Sequence, residues 1–265
     1  MIRRGFAVRY DGLTEGGRNR PLKVAVDIDG EEVEAYLKPS HWRETGLEGM
    51  ANEVFAACIA QHLELPVCEP LLVDLDQEWI EVIEDPDLKA CLRRSCPVAF
   101  ASVSAGAGWR KWQDDDIIGQ SNRLHAQGTF AFDAFTENAD RKRGNNPNLL
   151  CKSDRMILID HELSFRIRSL LFPPPRPWEL GYLTRTAHGD GHALVRKLRQ
   201  NKFADVSELR PIWVSLTDDA LSAYAAMLPT EWSETAAYID HAKAHLTLVR
   251  ERIDDCLAEV HRVLS

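Results

Sequence analysis

The spacing of apolar residues changes once along this chain, and that change constrains the fold more than any other feature. Over about the first hundred residues, short β-like runs alternate with turns. Beyond Gln120 most of the chain shows the three- and four-residue spacing of helices, apart from one short β-like interruption. The pattern predicts an α+β protein, with a small β-rich lobe over residues 1–105 and a larger, mainly helical lobe over 106–265.

Within the first part, Pro21 to Asp29 (PLKVAVDID) and Glu32 to Lys38 (EVEAYLK) alternate apolar and polar positions, with Asp29-Gly30 between them. Asp-Gly favours the positive backbone angles of a tight turn, so a two-stranded antiparallel hairpin is expected. Met50 to Leu65 repeats apolar residues at helical intervals and stops at Pro66. Val67 to Leu75 and Glu78 to Ile83 read as two more strands, followed by a charged loop at Glu84 to Asp87. Pro97 to Ser104 gives a last β-like run, and the small residues Ala105 to Gly108 form a linker.

Beyond the linker, helical spacing from Ile117 to Thr136 leads into a polar segment, NADRKRGNNPNLLCKSDRMILID, from Asn138 to Asp160. Asn148 to Lys152 and Met156 to Ile159 are short strands around a Ser153-Asp154-Arg155 turn, a compact hairpin. Thr217 reads as a helix N-cap before Asp218 and Asp219, and Thr230 to Leu264 as amphipathic scaffold. Pro173 to Pro177 reads as a stiff loop.

Composition narrows the function classes. With 265 residues, 45% of them hydrophobic, the chain can bury a core large enough for two lobes that share a cleft. A formal charge of −9 argues against a general nucleic-acid coat, leaving Arg141 to Arg143 to act locally. No run nears the roughly eighteen apolar residues of a membrane span, and the amino terminus lacks an apolar signal region, so a soluble cytoplasmic protein is expected. The six cysteines form no CxxC pair and read as reduced thiols. His188 with His192 and His241 with His245 are spaced four apart without a third ligand nearby, which does not make a metal site.

Phosphoryl transfer asks for a carboxylate near the acceptor hydroxyl, metal ions on the phosphates and positive charge on the nucleotide. Asp140 lies in a loop too polar for a core, and Asn145 follows it by five residues, the interval at which kinase catalytic loops place a metal-binding amide. The hairpin would fold the chain back so that Asp160, twenty residues after Asp140, arrives beside it at a strand end. Two such carboxylates suit Mg-ATP, because magnesium takes hard oxygen ligands and keeps open water positions.

The run NADRKRGNNPNLL followed by LIDHELSF resembles the catalytic segment of HipA-like kinases, a family related in fold to protein and phosphatidylinositol kinases. The resemblance implies a bilobal protein-kinase-like fold that uses ATP and Mg2+. Asp140 would be the catalytic carboxylate and Asp160 a magnesium ligand. An additional residue before the NPN triplet divides the asparagine assignment. Counting forward from Asp140 favours Asn145, and counting back from Leu149-Leu150 favours Asn148. The resemblance also places a nucleotide-binding lysine at Lys38, an ion-pair partner for it at Glu53, and a phosphate-facing loop at Thr14 to Pro21 with Gly16, Gly17 and Arg18. On the helical wheel Glu53 falls opposite the bulky stripe, so it points either to a second packed surface or to water. Val98 to Ala105 would present backbone groups to adenine. The nucleotide loop begins within twenty residues of Met1, which fits a short form without the additional amino-terminal subdomain of the longer toxins.

Three further readings compete. HGDGH, from His188 to His192, resembles the catalytic loop of aminoglycoside-type kinases, but Val195 stands where asparagine is needed. A kinase-like module could bind a nucleotide or a protein without transferring phosphate. The acceptor, a protein serine or threonine in the principal reading, could instead be a small molecule.

Overall fold

The computed structural model describes residues 1–14, 20–43, 45–144, 147–165, 176–186 and 188–265. Strands β1 (Arg3–Leu13), β2 (Leu22–Ile28), β3 (Glu31–Lys38), β4 (Pro70–Asp74) and β5 (Val98–Val103) form a closed barrel in the order β1-β2-β3-β5-β4. β1 runs antiparallel to β2 and parallel to β4, and β5 is antiparallel to both β3 and β4. Alternation sends Leu22, Val24, Val26 and Ile28 of β2 inward with Ala35 and Leu37 of β3. The β2–β3 turn is the expected Asp29-Gly30 pair, with both residues at positive φ, +55° and +88°. At Gly5 a Cβ would lie 2.2 Å from the Asp27 carbonyl oxygen, so only glycine lets β1 approach β2 this closely.

Helix α1 (Gly46–His62) starts earlier than its apolar spacing suggests and is buried continuously from Gly49 to Ala60. A helix buried all round belongs to the core, and here it lies between the barrel and the carboxy-terminal lobe. Asn52 fixes it to that lobe by donating to the backbone oxygens of Glu162 (3.0 Å) and Ser164 (2.6 Å).

Two expectations fail between β4 and β5. Glu78 to Ile83 is not a strand; it overlaps helix α2 (Gln77–Glu81), whose first turn is capped by the Asp76 carboxylate accepting from Glu78 N and Trp79 N. Trp79, Ile80 and Ile83 are buried by a helical turn, a spacing that a short apolar run does not distinguish from a strand. Glu84 to Asp87 is not wholly loop either: Asp85 caps helix α3 (Pro86–Arg94), with Pro86 in the first turn where its missing N–H costs nothing.

After β5, Gly106 and Gly108 take positive φ on the way to a small antiparallel sheet of order β6-β7-β8, built from Arg110–Lys111, Leu149–Lys152 and Arg155–Leu158. The β7–β8 pair is the hairpin predicted around Ser153-Asp154. Helix α4 (Arg123–Phe135) begins six residues after Ile117, where helical spacing first appears, and is buried from Ala126 onward. Next come the short helices α5 (Tyr182–Arg185), α6 (Val195–Gln200), α7 (Leu209–Val214) and α8 (Asp218–Ala225), then a 3-10 turn at Thr230–Thr235 and the longer α9 (Ala236–Glu251). Helix α10 (Ile253–Leu264) packs against α5 and α7. A β-rich amino-terminal lobe and a mainly helical carboxy-terminal lobe make the expected α+β, bilobal arrangement. Among the described residues no helix is long and apolar enough to cross a membrane.

Candidate active site

Lys38 is the last residue of β3, and its ammonium is buried where the two lobes meet. Its Nζ donates to Glu53 Oε1 at 2.5 Å, Asp160 Oδ1 at 2.9 Å and Glu162 Oε2 at 3.1 Å. Glu53 comes from α1 and is 2% exposed, so the face opposite its bulky stripe meets a packed surface, not water. Its other oxygen accepts from His161 N at 2.8 Å, which ties the helix to the segment just after β8. Asp160 sits at that strand's end with φ +64°, and its side chain is 32% exposed toward the cleft.

Three carboxylates around one ammonium leave the cluster short of positive charge. Burial raises the Glu53 carboxyl, Lys38 opposes this and Asp160 and Glu162 add to it, so the group is pushed up to about 7. For Asp160 burial again acts upward, but Lys38 outweighs it and holds the carboxyl below its usual range. Burial disfavours the Lys38 ammonium, and Asp160, Glu53 and Glu162 together raise it well above the usual value. His161, enclosed against the edge of Phe132, is pushed down to about 3, first by burial and then by Arg141.

Nearby in the chain, Asn148 donates from Nδ2 to Asp140 Oδ2 at 3.0 Å, and Lys142 Nζ lies 3.5 Å from Asp140 Oδ1. The loop conformation is set locally: Asn138 Oδ1 accepts from Asp140 N at 3.2 Å, and Asn148 takes φ +44°, a left-handed angle that asparagine tolerates.

A cleft of about 330 Å³ is lined by Lys38, Glu53, Asn148 and Asp160 together with apolar residues including Val67, Phe100, Leu150 and Leu158. An apolar slot ending in a few convergent charges suits a nucleotide, with its base in the slot and its phosphates at Lys38. The donor set also suits magnesium. Ligand oxygens of Glu53, Asp160 and Glu162 lie within 4.8 Å of one another, but Lys38 Nζ already bonds all three. A cation would therefore sit on the cleft side, held by the partly exposed Asp160 and the Asn148 oxygen left over when its nitrogen engages Asp140.

Of the residues picked out in the sequence, the structure brings Lys38, Glu53 and Asp160 together, and pairs Asp140 with Asn148, which shares the cleft lining with the first three. Gly16, Gly17, Arg18 and Asn145 lie outside the described residues. Val98 to Val103 forms β5, and Phe100 and Ser102 from it line the cleft. Sequence reasoning missed Glu162, two positions after Asp160 in a segment where only the aspartate had been singled out. It also missed Lys23 of β2 and Lys111 of β6, which reach the cleft and have no ion-pair partner among the described residues.

No curated protein matches this sequence significantly. Among solved structures, the crystal structure of a Helicobacter pylori proinflammatory kinase, CtkA, is 12% identical with a TM-score of 0.47, covering 99% of this chain and 97% of that one. The family model described as HipA-like kinase matches residues 30–169, more than half of the chain, from the β2–β3 turn past the Asp160 segment. The chain belongs to the HipA-like kinase family.

Proposed function

We propose that this protein transfers the γ-phosphoryl group of ATP, with magnesium, to an alcohol acceptor, most simply a serine or threonine hydroxyl of a protein in the cytoplasm. The observation that carries the reading is Lys38. Its ammonium joins β3, α1 and the end of β8 through bonds of 2.5 Å to Glu53 and 2.9 Å to Asp160, in a cleft also lined by Asn148, whose side chain donates to Asp140. In this reading Lys38 bears on the α- and β-phosphates and Glu53 keeps it aimed. Asp160 and Asn148 would hold magnesium, which when bound would neutralise charge on the phosphates. Asp140 accepts the proton of the attacking hydroxyl, and Lys142 beside it offsets negative charge on the transferring group.

Magnesium-dependent movement of the γ-phosphate from ATP to a panel of protein and small-molecule acceptors tests the reading, with wild type set against Asp140→Ala and Asp160→Ala. Loss of a general base lowers the rate by about 10²- to 10⁴-fold, and loss of the metal ligand is expected to be at least as severe. A wild-type protein that binds ATP but moves no phosphate to any acceptor would instead be a nucleotide-binding module. Transfer to a small molecule alone would change the acceptor class and leave the cleft chemistry intact.

A further inference from the structure

We propose that Asp133, Arg141 and His192 form a buried brace that positions the Asp140 loop against the strands carrying Asn148 and Asp160, which makes Arg141 and His192 positioning residues for phosphoryl transfer. The inference rests on the phosphotransferase reading above, and it gives a role to the HGDGH segment, which lies outside the cleft.

Arg141 follows Asp140 directly, yet its side chain is fully buried, a rare place for arginine without dedicated partners. Its Nε donates to Asp133 Oδ2 at 2.6 Å and Nη2 to Asp133 Oδ1 at 3.3 Å, the forked geometry of guanidinium on carboxylate. Nη1 turns the other way, to the backbone oxygens of Asn148 and, at 3.4 Å, Ile159. One side chain therefore grips α4, the residue facing Asp140 and the residue immediately before Asp160.

His192 completes the carboxylate. Its Nδ1 accepts from Leu194 N at 3.2 Å, which puts the ring proton on Nε2, and Nε2 donates to Asp133 Oδ2 at 2.9 Å. The main chain of the same segment clasps the loop on either side of Lys142: Arg143 N donates to Gly191 O at 2.9 Å, and Ala193 N to Arg141 O at 3.0 Å. Asp133 and His192, 0% and 2% exposed at their side chains, touch neither the cleft nor solvent. Apolar side chains would fill such a volume at lower desolvation cost; charged groups with fixed directions supply orientation as well. Orientation matters next to a reacting carboxylate, where a displacement of about 1 Å can cost about a hundredfold in rate.

The test uses Asp133→Asn, His192→Leu and His192→Gln in the full chain, with cooperative thermal melting as the check on folding. Lys38 and Glu53 are not partners of the brace, so the Kd for ATP measured without metal should stay within about twofold of wild type while kcat falls at least about tenfold in Asp133→Asn and His192→Leu. Glutamine can still donate toward Asp133, so His192→Gln should recover most of the activity lost in His192→Leu. Amide hydrogen exchange at Arg143 and Ala193 should quicken in the two damaging variants. Unchanged kcat in the folded variants would overturn the brace, as would a parallel weakening of metal-free ATP binding or the absence of rescue by glutamine. If wild type transfers no phosphate, the phosphotransferase reading fails on its own, and the exchange measurement still decides: unaltered protection at Arg143 and Ala193 would overturn the brace.

Discussion

Asn148 lies with its side-chain nitrogen 3.0 Å from the Asp140 carboxylate, so one amide joins Asp140 to the lining of the cleft. Asn148→Ala should raise the magnesium concentration needed for half-maximal phosphoryl transfer and lower the rate at saturating magnesium by about 10²-fold or more. Metal titrations of the variant and wild type check both effects. An unshifted magnesium requirement would remove Asn148 from the metal site.

Lys38 Nζ bonds Glu53, Asp160 and Glu162, so its removal takes away the ammonium on which these carboxylates converge. Lys38→Met should abolish measurable ATP binding and destabilise the metal-free protein by about 3–5 kcal/mol at pH 8. The loss should shrink as pH falls. Without the ammonium, the folded-state carboxyls titrate above their unfolded values, so protonation on acidification favours the folded state. Urea melts of variant and wild type between pH 8 and pH 5 check the sign.

Lys111 reaches the cleft from β6 without an ion-pair partner among the described residues. Lys111→Ala should raise the KM for ATP several-fold with little change in kcat, and the effect should weaken at high salt, as expected of an exposed cation that steers a polyanion. Initial rates at two ionic strengths measure this.

His188 is buried and pushed down to about 4, chiefly by burial and secondarily by His192. The unfolded chain takes up this proton near pH 6.5 and the folded protein only near 4, so the group erodes stability as pH falls between those values. Glu53 and Glu137, both pushed up to about 7 with burial the largest cause, act in the opposite sense, and the wild-type curve alone would hide the histidine. The difference between His188→Gln and wild type isolates it. The variant should gain on wild type by about 1.4 kcal/mol per pH unit of acidification below about 6.5.

Thr217 caps α8 by accepting from Ala220 N at 3.2 Å, far from the cleft. Thr217→Ala should cost about 1 kcal/mol in unfolding measurements and leave phosphoryl transfer unchanged.

What the sequence revealed was local. The β2–β3 and β7–β8 hairpins announce themselves through Asp29-Gly30 and Ser153-Asp154, because turn chemistry is decided by adjacent residues. The segment from Asp140 to Asp160 is similarly short, and Asp140 and Asp160 could be picked out from its order of residues. Helix α2 was misread because five residues carry too little periodicity, although Asp76 in front of it was a usable cap signal. Glu53 remained ambiguous on the helical wheel because a helix buried all round has no solvent face to exclude. The partners of Arg141 were out of reach for another reason: Asp133 sits among the apolar residues of α4 and His192 lies 59 positions from it in sequence. Neither carries a pattern that marks long-range pairing, and only folding brings them to the same arginine.

The closed barrel of the amino-terminal lobe has a consequence for recognition. At Phe6 of β1, which pairs with β4 as well as β2, and over residues 35–37 of β3, which pair with β5 as well as β2, both sides of the strand are taken, so along these stretches a peptide, an amyloid-prone segment or a second copy of the lobe cannot extend the sheet by adding a strand. Anything that docked along these stretches would have to meet side chains and not the backbone, and Phe6 is an exposed apolar one there.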